Sequence, residues 1–171
     1  AVTTRSFFDL NTHTFTVHIN RKPTYSRSIP FTDYMFLVYF NSHAKMYDTL
    51  VHANDVSFPP ITGTIKEIAV SQETNPCRLY ILFADRIDAY TYTPSTPLVL
   101  TLVQSKTKSQ LVSDLSPLYP SVQSVYSLQD ISVMLSPPYP LALTLVLVSS
   151  TNQYISILIL LSPSTLSIIP S

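Results

Sequence analysis

From Ile131 to Ser171 the chain contains no Lys, Arg, Asp or Glu. Within this stretch, Leu141–Val148 and Tyr154–Leu161 are almost wholly aliphatic, so a strand formed there carries apolar side chains on both faces. Such a strand is stable only where protein covers both faces. Burying the aliphatic side chains of Leu141–Val148 alone contributes on the order of 10 kcal/mol at about 25 cal/mol per Å². We therefore expect this part of the chain in the core or in an interface between subunits.

The apolar stretch is too short and too interrupted for a membrane-spanning helix, which needs roughly 18 consecutive apolar residues. A chain of 171 residues is long enough to form one domain with a substantial core. We therefore expect a single β domain over residues 1–171, whose charge-poor region, residues 97–171, folds as hairpins. Removal of an initiator Met and cleavage of a signal peptide are both consistent with the start at Ala1.

Apolar and polar residues alternate with a period of two in much of the chain, which predicts strands that expose one face. Prolines fall between the alternating segments, where a missing N–H removes no hydrogen bond from a sheet. The pattern predicts an all-β fold, a β-sandwich or a jelly-roll-like barrel of short antiparallel strands with little helix. Besides the two aliphatic runs, the predicted strands are Thr12–Ile19, Tyr34–Phe40, Tyr47–His52, Thr64–Val70, Arg78–Ala84 and Ile87–Thr93.

The stretch from Val122 to Leu135 has two interpretations. Its apolar residues recur every three or four positions, as they do on one face of a helix. The same residues also fit two short strands, Val122–Ser127 and Ile131–Leu135. Strands are favoured, because Val, Ser and Tyr are mediocre helix formers.

Two segments of the C-terminal region resemble each other. Pro97–Val103 and Pro140–Val146 share the pattern Pro-Leu-x-Leu-Thr-Leu-Val, and each is followed by a Ser/Thr-rich stretch, a second apolar run and Leu-Ser-Pro. The similarity indicates a strand–turn–strand hairpin used twice, over residues 97–121 and 140–171. Chance matching in a chain rich in Leu, Ser and Pro is the alternative.

No catalytic signature is present in the sequence. With Gly63 as its one glycine, the chain has no Gly-x-Ser-x-Gly elbow and no glycine-rich phosphate loop. A single cysteine, Cys77, excludes an internal disulfide and is interpreted as a small buried hydrophobic residue. Asp85 and Asp88 flank Arg86 and are predicted to lie in a solvated turn, since carboxylates that act as a pair must face each other.

The histidines do not form a recognisable metal site, which needs three or four converging ligands. His13 and His18 are five positions apart, so they point to opposite faces of one strand. We therefore predict no catalytic residue, no cofactor and no metal, and hence a protein that is not an enzyme. If the chain had an activity, the segment His43–Asp55 would be its place, because it gathers His43, Asp48, His52 and Asp55.

Charge gives no indication of a nucleic-acid partner. Ten basic and ten acidic residues cancel, and charged residues make up 12% of the chain against a usual value of about 25%. The densest basic cluster, Arg21, Lys22 and Arg27, is predicted to lie in a surface loop.

Aromatic side chains share faces of two predicted strands, without a basic groove beside them. They are therefore predicted to pack in the core or in an interface rather than to stack on bases or sugars. The residues concerned are Tyr90 and Tyr92 on one strand and Tyr34, Phe36 and Phe40 on another.

These observations favour a non-enzymatic, self-assembling structural protein, since near-zero net charge removes repulsion between copies. A capsid or other virion subunit and a surface filament subunit both fit, which predicts a location in a virion or an extracellular surface assembly. We expect copies to meet through Leu141–Val148 and Tyr154–Ile169, with the last strand, Leu160–Ile169, added to a neighbour's sheet edge. Other structural proteins are further candidate partners. The alternative function is a monomeric β-sandwich binding module or an accessory subunit of a larger hetero-complex.

Overall fold

The structure, a computed structural model, describes residues 61–71, 76–93 and 99–170. For the residues before residue 61, the structure gives the backbone of five strands. Strands β1 (Thr4–Asp9) and β2 (Thr14–Ile19) form an antiparallel pair. Strands β3 (Arg27–Pro30), β4 (Met35–Phe40) and β5 (His43–Asp48) form a three-stranded antiparallel sheet in that order. Of the strand predicted at Tyr47–His52, residues 47 and 48 lie in β5, and residues 49–52 lie outside the described residues.

Residues 61–71, 76–93 and 99–170 form two antiparallel sheets and one helix. The first sheet contains β6 (Ile65–Ser71), β7 (Cys77–Phe83), β8 (Arg86–Thr93) and β9 (Val99–Thr107), in chain order. Helix α1 (Lys108–Leu115) follows. The second sheet contains β10 (Val122–Val133), β11 (Leu141–Ser149) and β12 (Tyr154–Leu161). The predicted all-β fold is confirmed, whereas its finer form as a sandwich or jelly roll stays a prediction.

One apolar core is shared by the two sheets and the helix. Alternation along β11 directs four leucines to the same face, and all four are buried. They pack in one cluster with Tyr80 and Leu82 of β7 and with Leu111 and Leu115 of α1. The sequence predicted cover for both faces of Leu141–Val148, and the structure buries the face that carries the leucines. The four leucines are Leu141, Leu143, Leu145 and Leu147.

Strand β7 is buried on both faces. Leu79, Ile81 and Phe83 alternate with the residues that enter the shared core, and they belong to a second apolar cluster on the opposite face of the sheet. All three are fully buried. A continuous apolar run is the pattern expected of an interior strand covered on both sides.

Strand β10 explains the helix-like spacing in its sequence. It is one continuous strand of 12 residues with three register shifts against β11. Val125, Leu128 and Ile131 lie opposite alternate leucines of β11, namely Leu147, Leu145 and Leu143. A β-bulge inserts one extra residue, so the period of the core-facing residues becomes three instead of two. The preference for strands over a helix here is confirmed.

The hairpin predicted over residues 97–121 is wrong, because α1 takes the place of its second strand. Thr107 caps the helix: its hydroxyl accepts a hydrogen bond from the Gln110 amide, and the Gln110 side chain accepts one from the Thr107 amide. This capping box satisfies two amides that the helix leaves without partners. Residues 140–171 do contain the predicted hairpin, β11–β12, so the two similar segments fold differently.

The single strand predicted at Leu160–Ile169 is also wrong. Strand β12 ends at Leu161, and Pro163 cannot donate a hydrogen bond to a sheet. The chain then turns back, with the Ser162 amide bonded to the Ser167 carbonyl and the Ile169 amide bonded to the Leu160 carbonyl. Residues 162–170, which we call the C-terminal return, therefore lie against the end of β12 in their own chain.

Candidate assembly surface on the C-terminal sheet

The outer face of the C-terminal sheet consists of the side chains that alternate with the core residues. In β11 these side chains range from half-buried to buried, whereas in β12 Tyr154 and Leu158 are exposed to 66% and 64%. The sequence predicted cover for both faces of these strands, whereas among the residues that the structure describes Tyr154 and Leu158 on the outer face of β12 stay largely exposed. The outer face comprises Ser124, Tyr126, Ser127, Asp130 and Ser132 of β10, Ala142, Thr144, Val146 and Val148 of β11, and Tyr154, Ser156, Leu158 and Leu160 of β12.

Two exposed tyrosines meet on this face. Tyr126 is the extra residue at the β10 bulge between Val125 and Ser127, so its ring projects outward. Its ring centroid lies 5.0 Å from that of Tyr154, at an interplanar angle of 81°. Edge-to-face pairs of this kind stabilise ring orientation. The two rings therefore form a defined aromatic feature on a surface of aliphatic and small polar side chains.

The surface is almost free of charge. Strands β10 to β12 contain one ionisable carboxylate, Asp130, and no basic residue. Asp130 lies at the far side of the sheet from β12, opposite Thr144 of β11. The β12 side of this face therefore exposes apolar side chains without a charge among them, which is typical of a protein contact.

The two edges of the C-terminal sheet differ. At the β10 edge, β6 supplies partners: Lys66 donates from its ammonium to the Leu128 carbonyl, and the buried Glu67 carboxylate accepts from the Ile131 amide at 3.2 Å. At the β12 edge, the C-terminal return occupies only the end near Leu161. Residues 154–158 of β12 lie at the other end of that edge and have exposed or half-buried side chains.

The C-terminal return is fixed by three side chains of the first sheet. The Arg78 guanidinium and the Tyr80 hydroxyl both donate to the Pro163 carbonyl, at 3.0 and 2.9 Å. The Lys106 ammonium donates to the Leu166 carbonyl at 2.7 Å. Leu166 itself is fully buried in the shared core. These contacts hold the return against its own domain.

A small cavity lies beside the start of β12. Its volume of about 30 Å³ has room for one or two water molecules, whereas sites for small organic ligands measure roughly 300–1,000 Å³. The cavity therefore does not accommodate a metabolite. It is lined by Tyr119, Ser121, Val122, Leu147, Ser149, Ile155 and Ile157.

Asp85 and Asp88 differ in their exposure to solvent. Asp85 lies in a solvated turn, as predicted for both residues, and Asp88 does not. Asp88 is buried in β8, where its carboxylate accepts hydrogen bonds from Arg86 at 3.2 Å, Tyr90 at 3.1 Å and Ser105 at 2.6 Å. Burial, and secondarily the Asp88 charge, raises the pKa of the Tyr90 hydroxyl to about 12. Since each Asp88 oxygen has a donor, the cluster is structural.

Arg86 joins this cluster to the loop before β6. Its guanidinium donates to the Thr62 carbonyl at 2.7 Å and lies 3.9 Å from the centre of the Phe83 ring. It also pairs with the exposed Asp85. One arginine thus fixes the β7–β8 turn and the loop at Gly63, which gives it a positioning role.

The aromatic residues of β8 pack as predicted. Tyr92 is buried in the second apolar cluster, and Tyr90 packs against the same cluster. Cys77 also packs there, but it is half-buried and not fully buried as predicted. Sequence reasoning did not identify the anchoring roles of Arg78 and Lys106, and no local pattern marks them, because their partners lie far away in the chain.

Several predicted candidates lie outside the residues whose side chains are described. Of the segment His43–Asp55, the structure describes only the backbone of β5. Of the basic cluster, it describes only the backbone of Arg27, at the start of β3. The same applies to His18 in β2 and to Phe36 and Phe40 in β4. Outside the described residues altogether lie His13, Arg21, Lys22, Tyr34, His52 and Asp55.

No three His, Cys, Asp or Glu side chains gather as a metal site within the described residues. In the same part of the chain, no helix has the length and apolar character needed to cross a bilayer. Comparison of the chain with protein-family models, with curated proteins and with solved structures finds no match.

Proposed function

We propose that this protein is a non-enzymatic structural subunit that assembles with copies of itself through the C-terminal sheet. The observation that carries the proposal is the exposed, uncharged outer face of β12. Leu158 and Tyr154 are about two-thirds exposed there, in a stretch without any Lys, Arg, Asp or Glu. Large apolar side chains that are exposed side by side mark candidate protein contacts.

Further support comes from the balance of charge. The chain carries ten basic and ten acidic residues, so no net charge repels one copy from another. A capsid or virion subunit and a surface filament subunit are the assemblies we propose, with the corresponding location in a virion or on an extracellular surface. Electron microscopy of the purified assembly distinguishes closed shells from filaments.

The proposal is tested by the oligomeric state of the purified protein, measured by size-exclusion chromatography with light scattering. We expect an oligomer or polymer for the natural sequence. Leu158→Lys places a charge on the outer face and is expected to shift the population toward monomer, since a buried unpaired ammonium is costly. Leu118→Lys is the matched control, because Leu118 is similarly exposed, at 52%, in the turn after α1.

Two outcomes contradict the proposal. One is a natural protein that remains a soluble monomer at every concentration examined. The other is an oligomer whose size responds equally to Leu158→Lys and Leu118→Lys, since that would place the contact elsewhere. A monomer that is insoluble until another protein is co-expressed would instead favour the accessory-subunit function.

A further inference from the structure

We propose that two copies of the chain join edge to edge through β12, antiparallel, with a two-fold axis at Ser156. The two three-stranded sheets then become one continuous six-stranded sheet. This inference rests on the proposed self-assembly and specifies its contact. The second copy supplies the same strand, so the interface is isologous.

The direction of the backbone groups of β12 follows from the C-terminal return. The Ile169 amide reaches the Leu160 carbonyl, and the Ser162 amide reaches the Ser167 carbonyl, around the bridge between Leu161 and Ile168. In an antiparallel ladder, a residue directs its N–H and C=O to the same side, and successive residues alternate. Tyr154, Ser156 and Leu158 therefore direct their backbone groups away from β11, to the edge of β12 that pairs with no other strand of the described sheets.

The C-terminal return also restricts the register. A two-fold axis at Ser156 places Tyr154 opposite Leu158 of the second copy, and Ser156 opposite its own counterpart. Each of these pairs exchanges two hydrogen bonds, so every outward-directed group from 154 to 158 has a partner. An axis at Ile157 would instead place Tyr154 opposite Leu160, whose carbonyl already accepts from Ile169.

Side chains are compatible with this register. Opposite residues of an antiparallel pair lie on the same face, so Tyr154 meets Leu158 on the outer face and Ile155 meets Ile157 on the inner face. Ile155 is still 41% exposed in the single chain, which leaves inner-face area for the second strand to cover. Tyr154–Leu161 contains no charge, so no like charges face each other across the axis.

The other edge of the same sheet is less suited to pairing. At β10 the Leu128 carbonyl and the Ile131 amide already have partners from β6, and three register shifts interrupt the strand. Strand β12 pairs with β11 without a register shift from Tyr154 to Leu161. A long, regular, uncharged edge without proline is the kind that accepts another strand.

The first experiment removes one hydrogen-bond donor at the axis. Ser156→Pro deletes the amide that faces away from β11, a position where an edge strand tolerates proline. Ser156→Ala deletes the same hydroxyl but keeps the amide. We expect Ser156→Ala to associate like the natural protein and Ser156→Pro to raise the dissociation constant about tenfold or more. Circular dichroism establishes that both variants are folded.

The second experiment reads the register directly and does not depend on a proline variant. Single cysteines are introduced in a Cys77→Ser background and oxidised. We expect fast cross-linking of Ser156→Cys, because hydrogen-bonded opposite residues have Cα atoms about 5.5 Å apart, within disulfide range. Tyr154→Cys alone should not cross-link, since its counterpart lies about 14 Å away, four residues along the neighbouring strand. A mixture of the Tyr154→Cys and Leu158→Cys variants should cross-link, because the register places these two residues opposite each other.

The outcomes separate this contact from the proposed function. An oligomer in which Ser156→Pro and Ser156→Ala associate equally, or in which Ser156→Cys fails to cross-link, overturns the β12 contact and leaves self-assembly standing. Cross-linking of Tyr154→Cys alone at the same rate as Ser156→Cys also overturns the register. A natural protein that is monomeric throughout overturns both.

Discussion

Lys106 of β9 donates a hydrogen bond from its ammonium to the main-chain oxygen of Leu166, at 2.7 Å and 60 positions further along the chain. The same ammonium pairs with the Asp114 carboxylate of α1. Lys106 is only 8% exposed, so water is poorly placed to replace either contact. A single side chain thus joins the last strand of the first sheet, the helix and the C-terminal return.

Lys106→Met is expected to lower the free energy of unfolding by about 1.5–3 kcal/mol, the usual range for hydrogen bonds to a charged group. The substitution keeps most of the side-chain volume but leaves Asp114 and the Leu166 carbonyl without their donor. Chemical denaturation measures the change. Lys108→Met is the control: Lys108 donates to the Tyr126 carbonyl at 3.0 Å in an exposed position, so its loss should cost less than about 1 kcal/mol. Equal losses would contradict the role assigned to Lys106.

Leu166 combines a fully buried side chain with a left-handed backbone, at φ 54°. Leu166→Ala should lower the free energy of unfolding by about 2–5 kcal/mol, because the side chain leaves a cavity in the shared core. Leu166→Gly removes the same side chain but relieves a backbone conformation that costs L-residues roughly 1–2 kcal/mol. We therefore expect thermal melting of the glycine variant at a temperature no lower than that of the alanine variant. A clearly less stable glycine variant would show that the return has another backbone conformation.

Gly63, the one glycine of the chain, has φ +119°, and a Cβ there would lie 2.9 Å from the Phe83 ring. Gly63→Ala should therefore lower the free energy of unfolding by about 1–3 kcal/mol, from backbone strain and displacement of a fully buried ring. Urea denaturation measures it. The exposed neighbour Thr64 provides the comparison, since Thr64→Ala should change the free energy by no more than about 0.5 kcal/mol. A neutral Gly63→Ala would refute the described loop.

Alkaline pH should unfold the protein through its buried tyrosines. Burial raises the pKa of Tyr80 and of Tyr90 to about 12, from the ordinary value of 10.0. Between pH 10 and 12 the unfolded chain loses these protons while the folded chain keeps them, so stability is full below pH 10 and falls as the pH rises to 12.

Phenolate absorbance, followed together with circular dichroism, checks this prediction. A fraction of the tyrosine titration should occur only as the secondary structure is lost. Tyr80→Phe and Tyr90→Phe should each reduce that late fraction. The prediction fails if all tyrosines titrate near pH 10 in a protein that remains folded.

The bulged strand β10 shows which features a sequence pattern predicts and which it does not. Val125, Leu128 and Ile131 are spaced as on a helix, and residue propensity alone favoured a strand. The reason for the spacing, an extra residue at each bulge, appears only in the pairing with β11. Helix α1 is the opposite case: Thr107 and Gln110 form a capping box that is visible in the sequence, but an apparent repeat favoured a hairpin there.

The candidate assembly surface was predicted in part. Its location in the uncharged C-terminal region followed from composition, because apolar residues on both faces of a strand require cover. Which face of β12 stays uncovered could not be predicted, since that depends on the side from which the first sheet packs. Likewise, no pattern near Pro163 indicates that Arg78 and Tyr80 bind its carbonyl from far away in the chain.

By itself the sequence determined the all-β character of the protein and the β11–β12 hairpin, with the limits of β12 at Tyr154 and Leu161. These features depend on neighbouring residues, through alternation, apolar runs and prolines. Only the tertiary structure decided the order of the strands, the fold-back of the C-terminal return and the exposure of the β12 edge. The physical reason is that burial and hydrogen-bond partners at these places come from residues distant in the chain, which local patterns do not record.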